Sequence, residues 1–396
     1  VFLGPECPLS KLYGPRLAEL AAKFDPEKVA IIGIDSNQQD SIQKIAAYAT
    51  RHKIEFPLLK DPGNTVADSF GAKRTPEVFV LDRDRVVRYH GRIDDQYGFT
   101  DGVGYKRPAA TRNDLVEAVN ELTAGKPVSV ASTNFVGCLI GRVRPVKNDS
   151  EVTYSKQIAR VFQDHCVECH RPGRIGPFSM TSYDELAGWG EMIKEVVSEG
   201  RMPPWHANPA HGEFANDIRL SDNEKKQIVA WVDNGCPQGN PSDLPAPKQF
   251  TEGWAIGEPD EIIYMRDEPV DVPAEGVIDY YHFVVDPGWK EDRWIKAAEA
   301  KPDSLETVHH ILVFVAAPEA SRGLQALHNG GGQGGDRPQR RPPGSGRGEG
   351  RGEGGGRGFG GGRGGRSGGG GIGGGNLVAG YAPGATPMIA TDGSTA

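Results

Sequence analysis

The stretch VAIIGID, residues 29–35, decides the fold of the N-terminal region. It is an unbroken apolar run that ends in an acid, which is typical of a strand buried inside a sheet. The other elements predicted around it are a helix over 40–53, a short strand over 56–60, a hairpin of Glu77–Asp82 and Val86–Asp94, and a helix over 113–124 ended by Gly125. Because strands alternate with helices, residues 1–127 are predicted to form an α/β domain around a mixed sheet.

The chain has 396 residues and a net charge of −8, from 45 basic and 53 acidic side chains. At about 150 residues per domain, this length predicts two or three domains. The mild acidity gives no global electrostatic reason to bind nucleic acid. The longest apolar run, Ile311–Ala317, is far shorter than the ~20 residues of a membrane-spanning helix. The chain starts at Val1 and ends in no recognisable stop pattern, so we expect both ends to be cut, and the missing signal peptide carries no information.

Composition divides the rest of the chain into three regions. They are a linker over 128–150 that carries Pro, Ser, Thr and Asn, a helical region over 151–245, and a β-rich region over 246–396 that contains a Gly-rich tract. In the helical region, Ser182 with Glu185 and Ser221 with Glu224 have the spacing of capping boxes, and Gly235 is predicted to end the last helix.

Residues 166–170, Cys-Val-Glu-Cys-His, form a C-x-x-C-H motif. Two thiols on one helical turn can add to the two vinyl groups of haem, and the adjacent His170 can bind the iron from the proximal face. The same residues allow two alternatives, a redox C-x-x-C pair and a zinc half-site completed by His165. Zinc usually needs a second ligand pair at short range, and none follows in the sequence. Haem attachment through Cys166 and Cys169 is therefore the favoured interpretation.

The sixth iron ligand should lie downstream, and Met202 in the stretch RMPPW is the best candidate. The two following prolines stiffen an extended loop, which can hold a thioether against the open face of the haem. The rival candidates are Met180, Met192, His206 and His211. A plain packing role for Met202 is the remaining alternative.

These motifs carry a resemblance that covers about 90 residues. The stretches CVECHRPGRIGPFSMTSYDEL, RMPPWHA and LSDNEKKQIVAWVDNGCPQG resemble the small c-type cytochrome module of large multidomain proteins from planctomycete-like bacteria. The resemblance implies an all-α domain with covalent haem c, in which His170 and the loop residue Met202 ligate the iron. Such haem is attached outside the cytoplasmic membrane, so we expect an exported protein at a periplasmic or cell-surface location.

Residues 1–127 resemble the redoxin family, the thioredoxin-like group that includes alkyl hydroperoxide reductases and cytochrome-maturation thioredoxins. The resemblance rests on VFLG before Glu6-Cys7-Pro8-Leu9-Ser10, on VAIIGID, and on Arg74-Thr75-Pro76-Glu77. It implies that Thr75-Pro76 contains a cis-proline that faces Cys7. Cys7 would lie at a helix N-terminus, where the helix dipole favours the thiolate.

The sequence departs from the redoxin pattern at two positions. Ser10 replaces the second cysteine of a C-x-x-C pair, and Gly4 stands where peroxiredoxins place a threonine. The site is therefore a C-x-x-S monothiol, which is either active in thiol redox chemistry or part of an inert docking scaffold. If haem uses two of the five cysteines, then Cys7, Cys138 and Cys236 can form at most one intramolecular disulfide.

His309 and His310 stand at the head of an apolar strand predicted over ILVFV. Adjacent strand residues point to opposite faces, so the pair can bind one metal only if the backbone bends. The surrounding stretch, IIYMRDEPVDVPAEGVIDYYHFVVDPGWKEDRWIKAAEAKPDSLETVHHILVFV, resembles the N-terminal half of the ascorbate-dependent type II copper monooxygenases. This implies a truncated β-sandwich in which the His pair ligates copper, with His282 and His328 as weaker candidates. The second copper site of that family would lie beyond Ala396.

The Gly-rich tract over 330–375 holds 26 glycines, and its eight arginines against three acids give it a charge of +5. Such tracts can bind RNA through charge and stacking, but a single aromatic residue makes this the weaker interpretation. We expect a disordered insertion in the β-domain.

The leading prediction is an exported multidomain redox protein in which haem c electron transfer is coupled to a copper-monooxygenase-like domain and a thioredoxin-like domain. A second hypothesis is a thiol-dependent peroxidase or reductase centred on Cys7, with the haem as its electron partner. A third is a non-enzymatic electron-transfer and docking protein. We expect a redox partner protein or a small reductant, a small-molecule substrate of unknown identity, no nucleic acid and no membrane span.

Overall fold

The computed structural model of the chain describes residues 1–100, 103–205, 207–214, 216–272, 280–315 and 376–390. The chain divides into two compact units, one of residues 1–250 with 303–309, and the other of residues 251–302 with 310–396. No helix in these described ranges is long and apolar enough to cross a membrane.

The N-terminal domain interleaves strands and helices, as predicted. Its elements are α1 (Pro8–Lys23), β1 (Gly33–Asp35), α2 (Ile42–Arg51), β2 (Leu58–Lys60), α3 (Thr65–Phe70), β3 (Arg74–Thr75), β4 (Val78–Leu81), β5 (Val87–Gly91), β6 (Tyr97–Thr100), β7 (Val103–Lys106), α4 (Asp114–Thr123) and β8 (Cys138–Leu139), with a 3-10 turn at Pro62–Asn64. The predicted hairpin is confirmed, since β4 and β5 pair antiparallel. The predicted strand over 29–35 is shorter in the structure, because its partner β2 offers only three paired residues.

The segment Val1–Gly4 joins the two halves of this sheet. Phe2 bridges Ile34 in the parallel sense and Glu77 in the antiparallel sense, which makes the sheet mixed. Behind the sheet, a core of large apolar side chains fixes α1 and α4. Its buried members include Leu3, Tyr13, Leu17, Tyr48, Val78, Tyr89 and Leu115. The core therefore holds the start of α1, where Cys7 lies, against the sheet.

The segment 128–150, expected to be a linker, packs on the N-terminal domain. Its strand β8 pairs antiparallel with β3, and Cys138 lies opposite Thr75. The Ile140 N–H donates to the Lys73 carbonyl at 2.9 Å, and the Gly141 N–H donates to Asn37 Oδ1 at 3.0 Å. These bonds fix the segment beside the cysteine at the start of α1.

The next region is helical. It contains a π-helical turn (Tyr154–Ile158), α5 (Ala159–His165), α6 (Tyr183–Leu186), α7 (Gly190–Ser198) and α8 (Asp222–Asp233), with 3-10 turns at Ala187–Trp189, Pro209–His211 and Pro241–Asp243. Both predicted capping boxes are present. Gly235 follows α8 with φ +76°, as predicted for the residue that ends it. The core is formed around Trp231, Phe162 and Ile228.

The second unit contains short antiparallel pairs in its described residues. Strand β9 (Ala297–Ala298) pairs with β12 (Met388–Ile389). Strand β10 (Ile311–Val315) pairs with β11 (Asn376–Tyr381), with a bulge at Val313–Phe314. The predicted Gly-rich insertion over 330–375 and His328 lie outside the described residues.

Candidate redox site

Cys7 is the N-cap residue of α1, and Pro8 occupies the first helical position. Its backbone N–H donates to the Gly4 carbonyl at 3.0 Å, which closes a tight turn before the helix. The residue is only 1% exposed. The helix N-terminus therefore directs unsatisfied backbone N–H groups and the positive end of its dipole toward a buried sulfur.

The loop before β4 supplies the opposite wall of the site. The Thr75–Pro76 peptide bond is cis, as the resemblance implied, and Cys7 Sγ lies 3.0 Å from the Thr75 carbonyl oxygen. The buried carboxylate of Glu77 holds this loop in place. Its Oε2 accepts the backbone N–H groups of Lys73 at 2.7 Å and Arg74 at 2.8 Å. Glu77 thus fixes the backbone that presents Thr75 to the sulfur.

Gly4 lies against both Cys7 and the cis-proline loop. A Cβ at this position would stand 2.5 Å from Asn37 Nδ2, 3.2 Å from Thr75 Oγ1 and 3.6 Å from the Cys7 Cβ. The position where peroxiredoxins carry a threonine is therefore filled by neighbouring side chains, and Gly4 has no hydroxyl to offer the sulfur. The hydroxyl of buried Thr75 lies beside this position.

The environment of Cys7 favours its thiolate. Burial opposes ionisation, but hydrogen bonds from the Cys138 thiol, Thr75, and the backbone at Ser10 and Cys138 outweigh burial and lower the pKa of Cys7 to about 6. At pH 7 about nine-tenths of such a thiol is ionised, and the thiolate is the nucleophilic form. Sequence patterns predicted the contribution of the helix, while the contribution of Cys138 was missed because this residue was assigned to a linker.

The comparisons with known proteins agree with this geometry. Residues 1–90 match the AhpC/TSA family. Thiol-disulfide oxidoreductase ResA from Halalkalibacterium halodurans is 24% identical over 91 residues, which are 22% of this chain and 50% of that protein. The N-terminal domain is a thioredoxin-like redoxin domain. The chain thus spans half the length of the curated relative it matches.

Two solved structures also share similarity with part of the chain. A hypothetical protein from Sinorhizobium meliloti 1021 is 29% identical, with a TM-score of 0.31, and the match covers 36% of this chain and 76% of that one. An uncharacterized conserved protein from Geobacillus kaustophilus is 27% identical, with a TM-score of 0.32, and covers 37% and 76%.

A buried acidic cluster lies next to the redoxin site and was not predicted. Burial, and then the neighbouring Asp40, raise the pKa of Asp35 to about 8, although Lys60 Nζ lies 2.7 Å from its Oδ1. Asn37 connects the cluster to the site, since its Nδ2 donates to Asp40 at 2.8 Å and its Oδ1 accepts the Gly141 N–H. The feature of the sequence that could have pointed to Asp35 is its position as the acidic last residue of the apolar strand VAIIGID.

The C-x-x-C-H motif lies directly after α5. The His170 N–H donates to the Cys166 carbonyl at 2.9 Å, which keeps the motif in one turn. His170 Nδ1 lies 3.1 Å from the Phe178 carbonyl oxygen, so Nδ1 carries the proton and Nε2 keeps its lone pair for a metal. Burial, and then the Cys169 thiol, raise the pKa of Cys166 to about 12, and burial likewise raises the pKa of Cys169.

The residues around the C-x-x-C-H motif help to distinguish the zinc interpretation from the haem interpretation. His165, the third residue of the zinc hypothesis, has Nδ1 3.0 Å from the Ile218 carbonyl oxygen and Nε2 3.2 Å from Glu224 Oε1, so both ring nitrogens are engaged. Gly176 packs so closely that a Cβ would lie 2.8 Å from His170 Nδ1. The buried indole N–H groups of Trp189 and Trp205 lack a hydrogen-bond partner in the described chain.

The candidates for the sixth ligand differ in exposure. Met202 is 40% exposed, and its bond to Pro203 is cis. Met180 is buried in the helical core. The sulfur of Met192 accepts the Leu139 N–H at 3.4 Å, and His211 is exposed. His206 lies outside the described residues. Met202 is therefore the methionine of this set that is most available to an added group.

The histidines of the copper prediction precede β10. His309 and His282 are exposed, and His310 is half-buried with its ring 5.5 Å from that of Tyr280. In the described parts of the chain, no three His, Cys, Asp or Glu side chains converge as a metal ion would require. The copper role of these residues stays a prediction.

Charged residues connect the redoxin loop to the helical region. Arg74, which precedes Thr75, makes two contacts with Glu195 of α7, at 2.7 and 3.2 Å. Glu195 also accepts from Arg201 at 2.7 Å. Arg201 directly precedes Met202, so one carboxylate joins the loop that faces Cys7 to the loop that carries the candidate iron ligand.

Proposed function

We propose that the chain is a multidomain redox protein in which Cys7 of the redoxin domain is the attacking sulfur in thiol–disulfide exchange. The observation that carries this proposal is the position of Cys7, at a helix N-terminus and 3.0 Å from the Thr75 carbonyl oxygen of the cis-proline loop. Burial opposes ionisation, but hydrogen bonds from Cys138, the Thr75 side chain and the backbone at Ser10 lower the pKa of Cys7 to about 6, so Cys7 is a thiolate at neutral pH.

The same geometry favours a disulfide over a peroxide as the substrate. Gly4 leaves the site without the threonine hydroxyl that peroxiredoxins place there, and the related ResA is named a thiol-disulfide oxidoreductase. A thiolate at the N-terminus of α1 supplies the nucleophile that exchange needs, and the disulfide substrate supplies the departing thiolate.

The test compares wild type with Cys7→Ser, using Cys236→Ser as the matched control because Cys236 is buried in the separate helical core. Reduction of a small disulfide should be lost in Cys7→Ser and unchanged in Cys236→Ser. Equal rates in all three proteins would leave an inert redoxin scaffold, which is the docking hypothesis. Peroxide consumption that depends on Cys7, without disulfide reduction, would identify a peroxidase instead.

We further propose that the helical region carries a covalent haem c on Cys166 and Cys169, with His170 and Met202 as axial ligands. Three observations support the fit. Nε2 of His170 is the ring nitrogen not used in the bond to Phe178, and Gly176 leaves no room for a side chain beside that ring. The indole N–H of Trp189, whose ring stacks on Phe178, is buried without a hydrogen-bond partner in the described chain and is a donor suited to a propionate. When bound, the haem supplies one-electron transfer.

In this proposal the protein's own residues orient the haem and connect it to the redoxin domain. The Phe178 carbonyl fixes the His170 ring, and Glu195 ties Arg74 to Arg201 across the two regions. Since such haem is attached outside the cytoplasmic membrane, the proposal implies a periplasmic or cell-surface location.

Haem attachment is tested on protein expressed together with a haem-attachment system. After denaturation, wild type should retain haem with the pyridine haemochrome spectrum of a doubly thioether-linked porphyrin. A Cys166→Ser, Cys169→Ser double variant is the control and should lose its haem to acid-acetone. Release of haem from the wild type under the same conditions would contradict the proposal.

A further inference from the structure

Strand β8 brings a second cysteine to the redoxin site from outside the residues that match the AhpC/TSA family. Cys138 lies opposite Thr75 in the β3–β8 pair, and the Thr75 carbonyl lies 3.0 Å from Cys7 Sγ. Hydrogen bonding from the side chain and the backbone of Cys138 is among the causes that lower the pKa of Cys7, which makes Cys138 a neighbour of that sulfur. We propose that Cys138 is the resolving cysteine of Cys7, so that the two form a reversible redox disulfide; this inference rests on the proposed role of Cys7.

The backbone around Cys138 is shaped for this approach. A Cβ on the preceding Gly137 would lie 2.2 Å from the Thr75 carbonyl oxygen and 2.8 Å from its carbon. Only glycine fits this close contact between β8 and the cis-proline loop. The Arg74 guanidinium donates to the Gly137 carbonyl at 2.7 Å, which holds the strand from its other side.

The two thiols are not equivalent. The hydrogen bond to Cys7, and to a smaller extent burial, raise the pKa of Cys138 well above its ordinary value. At neutral pH the pair therefore holds one thiolate at Cys7 and one proton at Cys138. This asymmetry assigns the first attack to Cys7 and leaves Cys138 as a protonated thiol that becomes nucleophilic once the charge on Cys7 is gone.

With a disulfide substrate, Cys7 and Cys138 complete a two-electron reduction. The Cys7 thiolate attacks one sulfur of the substrate, which breaks the substrate S–S bond, forms a mixed disulfide and expels one thiolate. Cys138 gives its proton to that departing thiolate and attacks Cys7 Sγ, which breaks the mixed disulfide and expels the second substrate thiolate. The substrate disulfide gains two electrons, and the dithiol loses two electrons to become the Cys7–Cys138 disulfide.

Cys7 is almost fully buried, so a substrate sulfur reaches it only after part of its surroundings moves, and we assign that movement to the two-residue strand β8. Return of the strand brings Cys138 back to the mixed disulfide. The Ser10 position, where a C-x-x-C pair would carry its second cysteine, holds a buried hydroxyl that accepts the Gly4 N–H at 3.2 Å. The second sulfur is thus supplied by a distant segment in place of the helix.

The experiment treats the reduced full chain with oxidised glutathione and maps each cysteine by mass spectrometry under non-reducing conditions. Wild type should show a Cys7–Cys138 disulfide and no glutathione on either residue, and dithiothreitol should restore both thiols without denaturant. Cys138→Ser should retain one glutathione on Cys7, while Cys7→Ser should show neither product. Cys236→Ser should behave as wild type.

The outcomes separate this inference from the proposed function. Glutathione retained on Cys7 in the wild type would overturn the resolving role of Cys138 but keep Cys7 as the attacking sulfur. Failure of Cys7 to react in both wild type and Cys138→Ser would overturn both. A Cys7–Cys138 bond that dithiothreitol reduces only after unfolding would be a structural disulfide and would also overturn the inference.

Discussion

The buried carboxylate of Glu77 is the group on which the geometry of the thiol site depends most. In Glu77→Ala, the backbone N–H groups of Lys73 and Arg74 lose their acceptor, and His90 Nε2 loses a partner 2.7 Å away. A buried N–H left without a partner costs about 1–3 kcal/mol. Because both N–H groups are only part-buried, we take the lower part of that range, about 2–3 kcal/mol of unfolding free energy in total.

Glu77→Gln is the matched control. Its amide oxygen can accept both N–H groups, while its NH₂ donates to His90 Nε2, so the loss should be only about 1 kcal/mol. The measurement is urea unfolding of each variant, read together with the pKa of Cys7. In Glu77→Ala this pKa should rise toward its ordinary value, because Thr75 is no longer held against the sulfur. Equal stability of Glu77→Ala and wild type would refute the role of the carboxylate.

Three further predictions concern the rest of the chain. Glu195→Gln should lower the unfolding free energy by about 1–2 kcal/mol at pH 7. Burial opposes the charge of Glu195, but Arg74 lowers its pKa. The difference in unfolding free energy between wild type and Glu195→Gln should therefore shrink as the pH falls through that lowered pKa, which an acid titration of stability measures. Met202→Ala should abolish the near-infrared sulfur-to-iron band of the ferric haem protein, and an unchanged spectrum would reject this ligand. Copper should bind weakly, and electron paramagnetic resonance should show less uptake in the His309→Ala, His310→Ala double variant; identical uptake would remove the pair as ligands.

Local signals in the sequence predicted those elements that depend on local contacts. The hairpin around Arg83-Asp84-Arg85, and the capping boxes at Ser182 and Ser221, involve residues a few positions apart, and all are present in the structure. The cis peptide at Pro76 was predicted from resemblance, since nothing local distinguishes it from a trans peptide.

Long-range pairing explains what the sequence did not reveal. Cys138 reaches Cys7 because β8 pairs with β3, and these two strands lie far apart in the sequence. A two-residue strand within Pro- and Ser-containing sequence has no periodicity to detect. The sequence placed Asp35 only at the end of a strand. Its raised pKa comes from burial and from the nearby charge of Asp40, and both depend on the folded structure.

The most direct measurement of the central claim is a pH titration of thiolate ultraviolet absorbance, taken as the difference between wild type and Cys7→Ser. It needs no reagent to reach the buried sulfur. A thiolate stabilised by α1, Thr75 and Cys138 should give an inflection near pH 6, the pKa of Cys7. An inflection at or above about 8.5, the value of an ordinary cysteine, would contradict the account of Cys7 as the reactive thiol of this domain.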